Sequence, residues 1–174
     1  VQPAIDAETG ALTYTPAEDA NGEAIVAVVL VDDGSTEDQG VNSSDSRTFS
    51  ITVDAGNDAP AVVLGEDQNL LEDAGLQTIP AWATGISAGP EDEADQELNF
   101  SLRNNNESLF SVQPAIDAET GALTYTPAED ANGEAIDAVV LVDDGGTEDG
   151  GVDRSDSLTF SITVDAVNDA PAVV

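Results

Sequence analysis

Apolar and polar side chains alternate along Arg47–Ala55, with Phe49, Ile51 and Val53 set against Thr48, Ser50 and Thr52. Successive side chains of a strand point to opposite faces, so this pattern predicts a strand with one face in a core. Leu158–Ala166 repeats it, and Leu98, Phe100 and Leu102 alternate in the same way. Ala24–Val31 is apolar in both phases, which leaves its inward face open. Glu8-Thr9-Gly10 predicts a turn leading into Ala11–Thr15, and Asn21-Gly22 predicts another. No segment sustains a helical period. Short strands with turn signals roughly every 10 residues predict an all-β fold, an antiparallel β-sandwich, over βαβ units.

The pattern is duplicated. Residues 1–63 recur as residues 112–174, an offset of 111, with substitutions only at Val26/Asp137, Ser35/Gly146, Gln39/Gly150, Asn42/Asp153, Ser43/Arg154, Arg47/Leu158 and Gly56/Val167. The differences concentrate between residues 35 and 47, which predicts an exposed loop and strand edge there. Asn-Asp-Ala-Pro stands at residues 57–60 and again at 168–171. A proline after a strand removes a ladder donor and ends the pairing. Cut there, residues 1–57 form the C-terminal half of a preceding repeat, 58–168 a complete repeat and 169–174 the start of the next.

Charge narrows the chemistry. Asp and Glu number 36 against three arginines, with no lysine, for a net charge of −33. No basic patch exists to displace counterions from phosphate or to meet an anionic bilayer, which argues against nucleic acid and against direct membrane insertion. Cys, Met and His are all absent. Disulfides, thiolate zinc sites and imidazole catalysis fall with them. The glycine-rich run 144–151 is followed by no lysine, so it is not a phosphate-binding loop. Paired carboxylates also serve glycosidases, but nothing here fixes a cleft around a pair, and no enzymatic activity is expected. Trp82 reads as a core or pole-packing residue, and Tyr14 and Tyr125 as strand residues before Pro16 and Pro127.

The acids gather where strands should end: Glu18-Asp19, Asp32-Asp33-Gly34, Asp54 with Asn57-Asp58, Glu72-Asp73, and Glu91-Asp92-Glu93 with Asp95. The second copy adds Glu129-Asp130, Asp143-Asp144-Gly145, and Asp165 with Asn168-Asp169. Loops of a sandwich cluster at its two poles, and end-to-end stacking brings pole against pole. Calcium takes 6–8 oxygens in flexible geometry and suits such a junction better than magnesium.

Ile116-Asp117-Ala118-Glu119-Thr120-Gly121-Ala122-Leu123 resembles the cadherin stretch I-D-x-E-T-G-x-L. Asp143-Asp144-Gly145-Gly146, the strand Leu158–Ala166 and Asn168-Asp169-Ala170-Pro171 resemble the end of a cadherin repeat. The repeat thus resembles the cadherin-like, immunoglobulin-like repeats of large bacterial surface adhesins, including the repeats-in-toxin adhesins. That resemblance implies Greek-key sandwiches in tandem with calcium at the junctions. Its linker pattern maps onto Asp54, Asn57 and Asp58, and in the second copy onto Asp165, Asn168 and Asp169. Its strand-A glutamate maps onto Glu72. The cluster after the T-G-x-L strand maps onto Glu18 and Asp19, and onto Glu129 and Asp130. The loop aspartate maps onto Asp33 and Asp144. The D-x-D pair falls among Glu91, Asp92, Glu93 and Asp95, with a spacing that departs from the cadherin pattern. The linker's final asparagine is replaced by Ala59 and Ala170, which lowers the expected ion count per junction. Fuller coordination is expected near Asp54–Pro60 than near Asp165–Pro171.

The function implied is mechanical: an extracellular spacer, at the cell surface or secreted, stiffened by calcium, that holds a distal adhesive domain away from the cell and supports adhesion or biofilm. Its expected partners are neighbouring repeats and calcium ions, and residues 1–57 are expected either to be cut from a longer chain or to be completed by another copy of the chain. Two other readings stay open. The repeat itself could grip a partner, homophilically or through a glycan, or it could be a halophilic filament subunit without calcium.

Overall fold

A computed structural model of the chain describes residues 1–34, 37 and 40–168. The chain is all-β. Among the described residues no helix is long and apolar enough to cross a membrane. The chain divides into two units, Val1–Ala55 and Gly56–Val174.

Val1–Ala55 holds β1 (Ala4–Ile5), β2 (Leu12–Thr13), β3 (Gly22–Val28) and β4 (Arg47–Val53). These form two separate antiparallel pairs, β1 with β2 and β3 with β4. The predicted alternation of β4 is present: Phe49, Ile51 and Val53 are its less exposed positions, and Ile51 is the buried one.

Gly56–Val174 contains β5 (Ala61–Val63), β6 (Gln68–Leu71), β7 (Gln77–Ile79), β8 (Thr84–Ser87), β9 (Asn99–Asn104), β10 (Phe110–Ile116), β11 (Leu123–Pro127), β12 (Gly133–Val142) and β13 (Leu158–Asp165). One sheet runs β10-β11-β7, another β6-β13-β12-β9, and β5 pairs with β8. All pairings are antiparallel except β6 with β13, which is parallel. These two strands lie far apart in sequence, so no hairpin dictates their relative direction.

Burial alternates strictly on the inner faces. Leu123, Tyr125 and Pro127 are buried on β11, and Phe160, Ile162 and Val164 on β13. On β12 the buried phase is Ala135, Asp137, Val139 and Leu141, which settles the face that the doubly apolar pattern left open. Trp82 packs on Phe160 with ring centroids 4.5 Å apart and sends its indole N–H to the Glu66 carbonyl at 2.9 Å. Phe110 meets Tyr125 edge to face at 5.9 Å. With Leu109, Ile116, Leu123 and Val139 these rings make one continuous core. Removing such apolar surface from water stabilises by roughly 25 cal/mol per Å², so few large aromatics are needed when aliphatics fill the layer.

The Ile-Asp-x-Glu-Thr-Gly stretch is a turn device. The Asp117 carboxylate accepts from the Thr120 backbone N–H at 2.7 Å and from its hydroxyl at 2.6 Å. Asp6 and Thr9 repeat this. The threonine hydroxyl, then the backbone N–H, holds each carboxyl below its ordinary range. Gly121 follows with φ +66°, and a Cβ there would stand 2.0 Å from the Ala83 carbonyl oxygen. Only glycine fits that approach, across which Ala83 N–H reaches the Gly121 carbonyl at 2.9 Å.

Candidate metal sites at the two ends of the sandwich

In Gly56–Val174, β12 and β13 form a long antiparallel ladder in which Gly133 stands opposite Val164. Asp143 follows the far end of β12, and Asp165 closes β13 at the other end. Several acids of this unit lie at these two ends, Asp143 and Glu93 at the first and Glu72, Asp73 and Asp165 at the second.

At the first end the segment Asn57-Asp58 is bound into the sandwich. Asn57 Nδ2 donates to Asp143 Oδ1 at 3.0 Å and to the Val152 carbonyl at 2.8 Å, and its Oδ1 accepts from Gln96 Nε2 at 2.7 Å. The Val152 N–H returns a bond to the Asn57 carbonyl at 2.8 Å. The Asp58 N–H donates to Glu93 Oε1 at 2.9 Å. Gly145 makes room for this: a Cβ there would fall 1.7 Å from Asn57 Oδ1. Its N–H also donates to Asp143 Oδ1 at 2.9 Å. The Asp-Asp-Gly loop and the Asn-Asp linker are therefore one device.

Three oxygens at this end are buried without a hydrogen-bond partner: Glu93 Oε2, Asp143 Oδ2 and Gln96 Oε1. A buried carboxylate oxygen with no donor is costly, and proton-free oxygens are the donors that hard cations take. The donor set is all oxygen and fits calcium in kind. It is small, however. Among the described residues no three acidic side chains come together as a metal-binding group.

At the second end Glu72 is the hub. Its Oε1 accepts from the Val167 N–H at 2.5 Å and its Oε2 from Asn132 Nδ2 at 3.2 Å. Its own N–H donates to the Asp165 carbonyl at 2.9 Å. Buried and bonded through both oxygens, Glu72 ties the exit of β13 to the strand beside it. Asp73 Oδ1 accepts from the Asp130 N–H at 3.4 Å.

The predicted ligands are placed unevenly. Asn57, Asp58 and Glu93 come together at the first end. Asp144 is exposed and accepts from the Glu97 N–H at 2.9 Å, while its neighbour Asp143 turns inward. Strand parity explains the exchange, because Val139, Leu141 and Asp143 share the inward phase of β12 and its continuation. Glu91 and Asp95 are exposed on either side of Glu93, the buried residue of the 3-10 turn Glu91–Glu93. Glu72 lies at the second end. Glu129, Asp130, Asp165 and Asn168 are exposed. Glu18, Asp19, Asp33 and Asp54 belong to Val1–Ala55 and are exposed there. Asp169 lies outside the described residues. The sequence reading missed Gln96, which is marked by no sequence pattern. Asp143 stands among the clustered acids, while the resemblance points to Asp144; Val139-Val140-Leu141-Val142 is apolar in both phases and gives no parity that would single out Asp143.

No protein-family model matches the chain, and no curated protein matches it.

Proposed function

We propose that the chain is an extender segment of a long extracellular bacterial adhesin, built from cadherin-like repeats and stiffened by calcium where the Asn-Asp linker enters a sandwich. The supporting observation is the seat of Asn57-Asp58. Asp143, Glu93, Gln96 and Val152 hold the linker by hydrogen bonds, and three buried oxygens beside it are left without a donor. Glu93 and Asp143 would hold the ion, with Gln96 supplying a neutral oxygen. Calcium there would neutralise the two buried carboxylates and fix the linker's exit direction. At a net charge of −33, cations also relieve self-repulsion across the rest of the surface. Extracellular calcium modules bind with Kd on the order of 10⁻⁴–10⁻³ M, so the stiffened state would follow external calcium.

Thermal unfolding of the intact chain in millimolar calcium and in chelator, at fixed ionic strength, tests this. Binding to the folded form alone raises stability by about 2.7 kcal/mol when the ion is a hundredfold above its Kd. The expected result is a rise in the melting temperature with calcium that magnesium does not reproduce, and that the paired variant Glu93→Gln with Asp143→Asn abolishes. Equal melting in calcium and chelator would remove the calcium mechanism.

A further inference from the structure

Asn-Gly stands at residues 21–22 and again at 132–133. At the second place Gly133 opens β12 opposite Val164 with φ +134°, a backbone conformation that residues with a side chain rarely adopt. The fold therefore asks for glycine after Asn132. Glycine is also the neighbour that leaves the Asn132 side-chain carbonyl most open to attack, because no Cβ shields the Gly133 nitrogen. Asparagine is among the thermally labile residues, and a following glycine removes the main steric brake on that lability. Asn132 is exposed, so water reaches the reacting atoms.

The nitrogen that would leave is the one that holds a tie. Asn132 Nδ2 donates to Glu72 Oε2 at 3.2 Å. Glu72 is buried; its Oε1 accepts from the Val167 N–H, and its own N–H donates to the Asp165 carbonyl. One neutral amide thus completes the bonding of the acid that fastens the exit of β13.

We propose that Asn132-Gly133 is a self-modification site whose deamidation loosens this end of the sandwich. The Gly133 nitrogen attacks Asn132 Cγ and gives up its proton; the new C–N bond closes a succinimide ring as the Cγ–Nδ2 bond breaks and ammonia departs. Water then opens the ring at either carbonyl, which leaves aspartate or isoaspartate at position 132. Water is the single co-reactant. Either product replaces the amide donor with a carboxylate. Glu72 loses a hydrogen-bond partner in a buried place and gains a like charge beside it. Isoaspartate also adds a methylene to the main chain at the entry of β12, next to the Gly133–Val164 pair. The end is tied in a fresh chain and loosened in an aged one. This inference is independent of calcium, and its test runs in chelator.

The intact chain is aged in mildly alkaline buffer and sampled by peptide mapping and hydrogen exchange. Residues 26 and 137 differ, so peptides that span them report the two Asn-Gly sites separately. The expected result is aspartate and isoaspartate at position 132, with one ammonia released per conversion. In step with it, the Val167 N–H should exchange about tenfold faster, while the Ile162 N–H in the middle of β13 keeps its rate. Asn132→Asp should show the fast Val167 exchange without ageing. Asn132→Gln, which keeps an amide but closes a ring far more slowly, should age without change. The proposal is overturned if Asn132 is still an amide when the same residue in the denatured chain has converted, or if neither the aged chain nor Asn132→Asp exchanges Val167 faster than the fresh chain.

Discussion

The hairpin β3–β4 and the hairpin within β12–β13 are set in the same register, Gly22 opposite Val53 and Gly133 opposite Val164, down to Ala24 with Ile51 and Ala135 with Ile162. The Asp-Thr turn is likewise the same in both copies. Burial is not. Local pairing and turn chemistry are written into the half repeat, whereas its core depends on strands contributed from elsewhere in the sequence. A two-stranded hairpin with one apolar face is at best marginal by itself, and these two copies display both sides of that limit within one chain.

The largest test of this contrast is a pair of identical truncations. Leu123→Ala opens a cavity in a closed core and should lower the stability of the Gly56–Val174 transition by about 2–5 kcal/mol. Leu12→Ala, at the matching place in Val1–Ala55, should move that transition by no more than about 0.5 kcal/mol. Denaturant unfolding followed by Trp82 fluorescence reads the closed unit, since Trp82 belongs to its core. Equal losses from both substitutions would break the comparison.

A second test uses Asp137. It occupies the buried phase of β12 between Ala135 and Val139, opposite Phe160 on β13 and Asn104 on β9. Burial pushes its carboxyl from 3.8 up to about 6. The Asn104 amide opposes this only in part, since its Nδ2 is directed to Gln113 Oε1 at 2.9 Å. Between about pH 4 and 6 the folded protein keeps a proton that the unfolded chain has lost. Stability therefore falls as pH rises through this window and levels above it. The difference corresponds to roughly 3 kcal/mol at most, at about 1.4 kcal/mol per pH unit. Asp137→Val, the residue of the first copy, should recover about 2–3 kcal/mol at pH 7 and flatten the profile between pH 4 and 6. A variant that keeps the wild-type slope would place the titration elsewhere.

The strands were readable because alternation is local: Phe49-Ile51-Val53 and Leu98-Phe100-Leu102 announce their faces without help. Ala24–Val31 and its copy were not, because apolar residues in both phases carry no parity. That ambiguity hid both Asp137, a core acid where a polar outward position would be harmless, and Asp143, whose inward turn follows from the same phase. The first end of the sandwich was legible in outline. Asn57 and Asp58 sit in a linker pattern and Glu93 in an acidic run, but the choice of Glu93 over Glu91 and Asp95 is made by one 3-10 turn. Glu72 was found as an acid but not as a tie. Its partners Asn132 and Val167 are distant in sequence, and no local pattern reports a bond across that separation. Glu18, Asp19 and Asp33 of Val1–Ala55 are exposed.

The most direct test of the cation assignment is anomalous X-ray diffraction from crystals of the chain grown in calcium. The account predicts a calcium peak bonded to Glu93 Oε2 and Asp143 Oδ2 beside Asn57. A water molecule or a protein N–H donor at those oxygens, with no anomalous peak despite ample calcium, would contradict it.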